Sequence, residues 1–298
     1  MSQITLLDGS IGQELVHRSD APPQYLWSTQ VMLDQPDLVG DVHRDYFAAG
    51  ATVATTNTYA VHRNRLQREG IEDQLEPLIT AALAQAQAAR KAHGSGRLAG
   101  ALGPLLASYQ PHLKPDVALA SERYGELVSL IGPHVDVILL ETVSSVLEGE
   151  GALRGCAQSP VPVWLAVSVS DEDGTKLRSG EPLSAIAPLV EQFAPAAVLI
   201  NCSTPEAVSE GMPVLAGLGR PFGAYANGFT RISDAFLTET PIVDALTARK
   251  DLSPEDYAQF GLNWVAQGAT IVGGCCEIGP AHIAELARAL RAAGHDIV

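Results

Sequence analysis

The stretch Ala197-Val198-Leu199-Ile200-Asn201-Cys202-Ser203-Thr204-Pro205 decides the fold. A short β-branched run ends in a polar asparagine, and after a brief break a proline opens the helical stretch Pro205–Leu215; proline suits a first helical turn, where its missing N–H costs nothing. The same unit recurs on both sides. Strands are expected at Ile4–Asp8, Thr52–Thr56, Leu98–Leu102, Val135–Glu141, Val163–Ser168, Ala197–Asn201, Phe222–Tyr225 and Thr270–Gly273. Helices are expected near Pro36–Ala49, Glu72–His93, Ser121–Ile131, Ser145–Cys156, Pro182–Phe193, Pro205–Leu215, Pro254–Gln267 and Pro280–Ala293, with Ser253 placed to cap the seventh. Strand-helix alternation implies parallel strands, and eight such units without an evident linker predict a single (β/α)8 barrel domain over residues 1–298. The alternative, an open doubly wound sheet with a dinucleotide site, lacks a Gly-x-Gly-x-x-Gly after the first strand.

The bulk numbers agree. The chain has 298 residues, 46% of them hydrophobic and 18% charged, enough for a large core, and a barrel of this kind takes about 250. No apolar run approaches the roughly 20 residues of a membrane span. A net charge of −15, with 19 Lys and Arg that form no basic cluster, excludes a nucleic-acid partner and leaves small molecules, a cationic ligand among them. Met1-Ser2-Gln3-Ile4 shows no basic-then-apolar leader, so a cytoplasmic location with reduced cysteines is expected.

A barrel carries its chemistry on the loops after the C-terminal ends of its strands. There the chain places Asp8-Gly9-Ser10, Asn57 with Thr58-Tyr59, Glu141-Thr142, Asn201-Cys202, Asn227 after Tyr225-Ala226, and Gly273-Gly274-Cys275-Cys276. Adjacent cysteines on a strand point to opposite faces, but two preceding glycines permit the break that would turn both inward. Strands six and eight are close neighbours in a closed barrel, so Cys202, Cys275 and Cys276 converge on one rim. Three protein ligands with an open fourth position describe a catalytic zinc site, whereas a structural site closes with four. Taken alone, Cys202 reads equally as a small buried apolar residue, as Cys156 does without a partner motif. A bond between the adjacent Cys275 and Cys276 would be strained, which favours the metal.

At these residues the chain resembles the homocysteine S-methyltransferase family. The likeness runs from Leu7-Asp8-Gly9-Ser10-Ile11-Gly12-Gln13-Glu14-Leu15, through Leu26-Trp27-Ser28, Asp45-Tyr46-Phe47-Ala48-Ala49-Gly50-Ala51, Thr55-Thr56-Asn57-Thr58-Tyr59 and Glu141-Thr142, to Asn201-Cys202-Ser203 and Gly273-Gly274-Cys275-Cys276. Two departures stand out. Ser10 replaces the family's usual second glycine, and Gly103-Pro104-Leu105-Leu106-Ala107-Ser108-Tyr109 differs from the form common among members that use S-methylmethionine.

The resemblance implies a zinc-dependent transfer of methyl from an onium donor, S-methylmethionine first and S-adenosylmethionine next, to L-homocysteine. Zinc-bound thiol is deprotonated, and the thiolate is the nucleophile. Three cysteines leave the ion's site anionic, which suits alkyl transfer better than hydrolysis. The resemblance also implies that Asp8 and Glu141 hold the substrate ammonium, and that backbone N–H groups near Gly9 and Ser10 hold its carboxylate. The residues themselves leave alternatives open: a loop cap for Asp8, an Arg or Lys partner for Glu141, and turn roles for Asn57 and Asn227. Asn227 is alternatively a ligand to the metal through its carbonyl oxygen. Trp27, Tyr59, Tyr109, Tyr225 and Phe229 are placed either to pack or to cradle a cation. The eight histidines lack metal-ligand spacing and are expected on surfaces and helices. Other readings are sulfonium or betaine demethylation with a different donor or thiol acceptor, a non-catalytic zinc- or thiol-binding barrel, and a redox sensor cycling Cys202 with Cys275 and Cys276.

Overall fold

Apolar strands buried on both faces need helices outside and side chains inside, and the computed structural model, which describes residues 2–19, 25–233, 236–237 and 246–298, has both. The strands are β1 (Gln3–Leu6), β2 (Val53–Thr55), β3 (Arg97–Leu102), β4 (Val137–Val143), β5 (Val163–Val167), β6 (Ala197–Asn201), β7 (Phe222–Tyr225), β8 (Ile271–Val272) and a terminal β9 (Asp296–Ile297). The helices are α1 (Ile11–Arg18), α2 (Ser28–Asp34), α3 (Pro36–Ala49), α4 (Arg63–Arg68), α5 (Leu75–His93), α6 (Val117–Ile131), α7 (Val146–Gly155), α8 (Ala187–Phe193), α9 (Pro205–Ala216), α10 (Pro254–Ala266) and α11 (Pro280–Ala292). Every strand pair is parallel, in the order β2-β3-β4-β5-β6-β7-β8-β1-β9. A parallel bridge between Leu7 and Val53 joins β1 to β2 and closes the cylinder.

Alternation along the strands sorts the core into two layers. Val137 and Leu139 of β4, with Ala197 and Leu199 of β6, fill the barrel interior. Their neighbours Ile138, Leu140, Val198 and Ile200 pack outward against the helices. The same parity carries Glu141 and Asn201, two residues farther on, inward at the mouth.

The expected strands and helices are present, with edges shifted by a few residues. Glu72–Gln74 and Leu183–Ile186 are 3₁₀ turns leading into α5 and α8. Helices α1, α2 and α4 and strand β9 were not expected: α1, α2 and α4 are short and lie on loops, and β9 is two residues long. Ser253 caps α10 in a reciprocal capping box with Asp256. Of the segment 228–253, residues 234–235 and 238–245 lie outside the described residues.

Tyr257 of α10 reaches under the mouth. Its buried hydroxyl donates to Gly273 O at 2.6 Å and accepts from Ala226 N–H at 3.1 Å, tying the ends of β7 and β8 together. Tyr257→Phe strands both groups, and urea unfolding of that variant is expected to show a loss of about 1–3 kcal/mol.

Candidate functional site

Beyond Tyr225 the chain of β7 continues straight and serves as a splint for both cysteine segments. On one side Cys202 N–H donates to Tyr225 O (3.3 Å) and Asn227 N–H to Ser203 O (3.0 Å). On the other, Cys275 N–H donates to Ala226 O (2.9 Å) and Gly228 N–H to Cys276 O (2.7 Å). The sulfurs of Cys202, Cys275 and Cys276 consequently lie within 4.8 Å of one another. In this structure Cys202 and Cys275 are joined as a disulfide and Cys276 is free. The all-reduced state expected from the sequence is therefore not the state seen. The bond also links the two loops rather than the adjacent pair. Cys156 is buried among apolar side chains, its thiol pushed up to about 12 by burial, and takes no part.

Backbone strain gathers at the same mouth. Trp27 (φ 49°), Tyr109 (φ 63°), Thr142 (φ 60°), Cys202 (φ 50°) and Glu277 (φ 64°) occupy the left-handed region, which non-glycine residues avoid. Ala194, the remaining case among the described residues, merely ends α8. Between Leu140 and Val143, β4 carries one residue more than β5 does, a bulge that re-aims Glu141 and Thr142. The side chain of Asn201 fastens it: its Oδ1 accepts from Thr142 N–H at 3.0 Å, and its Nδ2 donates to Thr142 Oγ1 at 3.2 Å while lying 4.0 Å from Cys275 Sγ. Arg178 fastens the opposite turn. It pairs with Asp171 at 2.9 Å, donates to Cys202 O at 3.0 Å and lies 4.9 Å over the Tyr109 ring. Tyr109 and Cys276 both line one cavity.

The thiols open on a cavity of about 110 Å³ that Asp8, Glu141 and Asn57 also line. Asp8 is buried and accepts from Thr55 N–H at 2.7 Å and from the Thr55 hydroxyl. Burial, and then the charge of Glu141, hold its carboxyl well above the usual range. Burial alone pushes Glu141 up to about 8, and neither carboxylate forms an ion pair with a described residue. The Arg or Lys partner that Glu141 alternatively called for is thus not found among them. All five aromatic candidates, Trp27, Tyr59, Tyr109, Tyr225 and Phe229, line the cavity, joined by Tyr25 and Phe236. The Tyr225 hydroxyl is buried with no partner among the described residues.

Other placements differ from expectation. Gly9 is required by close approach, since a methyl there would run into Ile278 O and the Tyr46 ring. Ser10 N–H is already bonded to Ile278 O, and its hydroxyl accepts from Gln13 N–H in capping α1, so its backbone amide is not a free donor. The N–H groups of Gly9, Ile11 and Gly12 have no partner among the described residues. Asn57 lines the cavity, but its amide nitrogen donates to Ser28 O at 3.2 Å. Asn227 lies outside the cavity lining; its Oδ1 accepts from Phe229 N–H, while its Nδ2 is buried without a partner among the described residues. His43, on α3 as a helix placement allows, and His62, before α4, are both buried with both ring nitrogens unpartnered among the described residues. Arg65 and Arg178 carried no sequence signal. The polar residues Asn201 and Glu141 at strand ends were visible, but what their side chains touch was not.

A family model described as homocysteine S-methyltransferase matches residues 5–290. A homocysteine S-methyltransferase of Escherichia coli is 28% identical, over 95% of this chain and 94% of its own. Homocysteine S-methyltransferase 4 of maize (Zea mays) is 26% identical, over 98% and 90%. The crystal structure of the homocysteine methyltransferase MmuM from E. coli superposes in its oxidised form with a TM-score of 0.80 at 27% identity, covering 98% of this chain and 96% of that one. Its metallated form gives 0.80 at 26% identity over 96% of each.

Glu141 leads to a pH prediction. Its pKa in the folded chain, about 8, exceeds the usual 4.5, so the folded state binds the proton more tightly. Stability is then lost as pH rises from about 5 to 8. Urea unfolding of the ligand-free chain across that range should show a shallower loss in Glu141→Gln than in wild type. The residual slope is assigned to Asp8, held well above its usual range by burial, and to Glu148, pushed up to about 7 by burial.

Proposed function

Because the chain belongs to the homocysteine S-methyltransferase family, we propose that it moves a methyl group from an onium donor to the sulfur of L-homocysteine, with S-methylmethionine the preferred donor and S-adenosylmethionine next. One observation carries this reading: three sulfurs within 4.8 Å of one another open on a cavity whose two carboxylates have no ion-pair partner among the described residues. A redox-sensing barrel would use the disulfide but has no need of those carboxylates.

The donor set suits a zinc ion. Cys202, Cys275 and Cys276 would hold it once the Cys202–Cys275 bond is reduced, and no fourth protein ligand joins them among the described residues. When bound, the ion supplies the positive charge that keeps a substrate thiol ionised at neutral pH.

The remaining work falls to the chain. Asp8 and Glu141 receive the ammonium of homocysteine, which compensates charges that burial otherwise disfavours. The free N–H groups of Gly9, Ile11 and Gly12, at the N-terminus of α1, take its carboxylate. The aromatic faces of the cavity surround the onium group and exclude water. An electron pair on the homocysteine sulfur forms the new S–CH₃ bond. The pair of the breaking C–S bond stays on the donor sulfur, which leaves as a neutral thioether. With S-methylmethionine both products are methionine. Because opposite charges cancel along this path, an apolar cavity favours it and no general base is needed.

Reduced, zinc-loaded protein given homocysteine and a panel of sulfonium and betaine donors should form methionine with the sulfonium compounds, read by chromatography. Metal analysis should find about one zinc per chain, as one three-ligand site requires. Cys276→Ala should lose both metal and product; full activity in that variant would contradict the ligand set. Glu141→Gln should raise the KM for homocysteine roughly ten- to a hundredfold, since a charged hydrogen bond contributes about 1.5–3 kcal/mol.

A further inference from the structure

Arg65 of α4 is the sole basic side chain lining the cavity among the described residues. It is only 7% exposed. Its Nη2 donates to Ser108 Oγ at 3.2 Å, its Nε is buried without a partner, and it forms no ion pair with a described residue. Its guanidinium lies 5.8 Å from the Tyr59 ring, whose hydroxyl shares Ser108 at 2.7 Å. A buried guanidinium without an anion is costly, and its planar fork matches a carboxylate. Glu141 lines the same cavity but forms no ion pair with Arg65.

Position decides which carboxylate. Arg65 and Ser108 follow β2 and β3, across the mouth from the cysteines that follow β6 and β8. In an amino acid the ammonium and the carboxylate share one carbon. An acceptor held by Asp8 and Glu141 therefore keeps its carboxylate beside them, within reach of the α1 N-terminus. That leaves Arg65 for the second molecule.

We propose that Arg65 anchors a carboxylate of the methyl donor, so that the donors of this chain are onium compounds bearing a carboxylate. The inference rests on the methyl-transfer reading of the same cavity. The donor's positive centre then lies between Arg65 and the thiols, against Tyr59, Tyr109 and Trp27.

The test compares S-methylmethionine with its methyl ester, which keeps the sulfonium and loses the negative charge. Calorimetric titration of the full reduced, zinc-loaded chain should show the acid binding about ten times tighter or more, the scale of a paired guanidinium. Arg65→Gln should erase that preference while leaving homocysteine binding, which also reports correct folding, unchanged. Arg65→Lys should restore part of it. The proposal is overturned if wild type binds acid and ester equally, or binds neither. It is also overturned if Arg65→Gln keeps the preference, or if both variants lose donor and homocysteine together. A preserved binding preference without methionine formation would count against methyl transfer while leaving the anchor in place.

Discussion

The mouth of this barrel depends on bending two chain segments inward across the end of β7. Strands with one other strand between them lie about 9–10 Å apart in a sheet, yet the Cα atoms of Cys202 and Cys275 are 5.7 Å apart. The backbone closes that gap after the strands end. Cys202 turns in the left-handed region, while Cys275 follows a Gly-Gly break whose first amide is held by Ala224 O and whose second is held by Asp8 O. Each left-handed non-glycine residue costs on the order of 1–3 kcal/mol. The four hydrogen bonds from the continuation of β7, and the Arg178 bond to Cys202 O, hold the turns against that cost. Sulfur convergence is thus a property of the backbone, supported from below by Tyr257.

The same mouth concentrates groups that weaken a free-standing fold. Asp8 and Glu141 are buried near each other, Arg65 is buried with no ion-pair partner among the described residues, and the Tyr225 hydroxyl has no described partner. In a low-dielectric cavity each is unfavourable alone and strongly attractive to a complementary ligand. Asp8 is bonded to Thr55 of β2, Glu141 lies on β4 and Arg65 on the helix that follows β2, so both signs of charge line one cavity. On the proposed reading, two zwitterions bound in such a cavity would satisfy these groups and bring their sulfurs together. Stability given up in the empty chain is returned as orientation of the bound pair.

Much of this was legible in the chain. Eight strand-helix units fixed the cylinder, and strand parity from Leu139 and Leu199 sends Glu141 and Asn201 inward without further information. The Asn-Cys and Gly-Gly-Cys-Cys segments were placed on neighbouring rims, because their strands are second neighbours once the cylinder closes. What stayed hidden depends on contacts between loops. Nothing local in Val61-His62-Arg63-Asn64-Arg65 says which arginine turns inward: Arg63 pairs with Glu126 outside and Arg65 is buried. Ser10 reads as a donor beside Gly9, but its N–H is taken by Ile278, more than two hundred and fifty residues away in sequence. Asn227 falls on the expected rim, but its Oδ1 accepts from Phe229 N–H, the local turn bond open to an asparagine two residues before an N–H.

The disulfide and a metal compete for the same electron pairs. A thiolate that ligates an ion cannot also be bonded to another sulfur, so the Cys202–Cys275 bond and a three-sulfur site are alternative states separated by two electrons. The conversion asks little of the fold. The two cysteine segments are spaced by backbone hydrogen bonds to Tyr225, Ala226, Asn227 and Gly228, none of which involves sulfur. Reduction therefore frees two thiols into a frame that already holds the third beside them, and the strands need not move for the site to form. With Cys276, that frame is complete before any ion arrives.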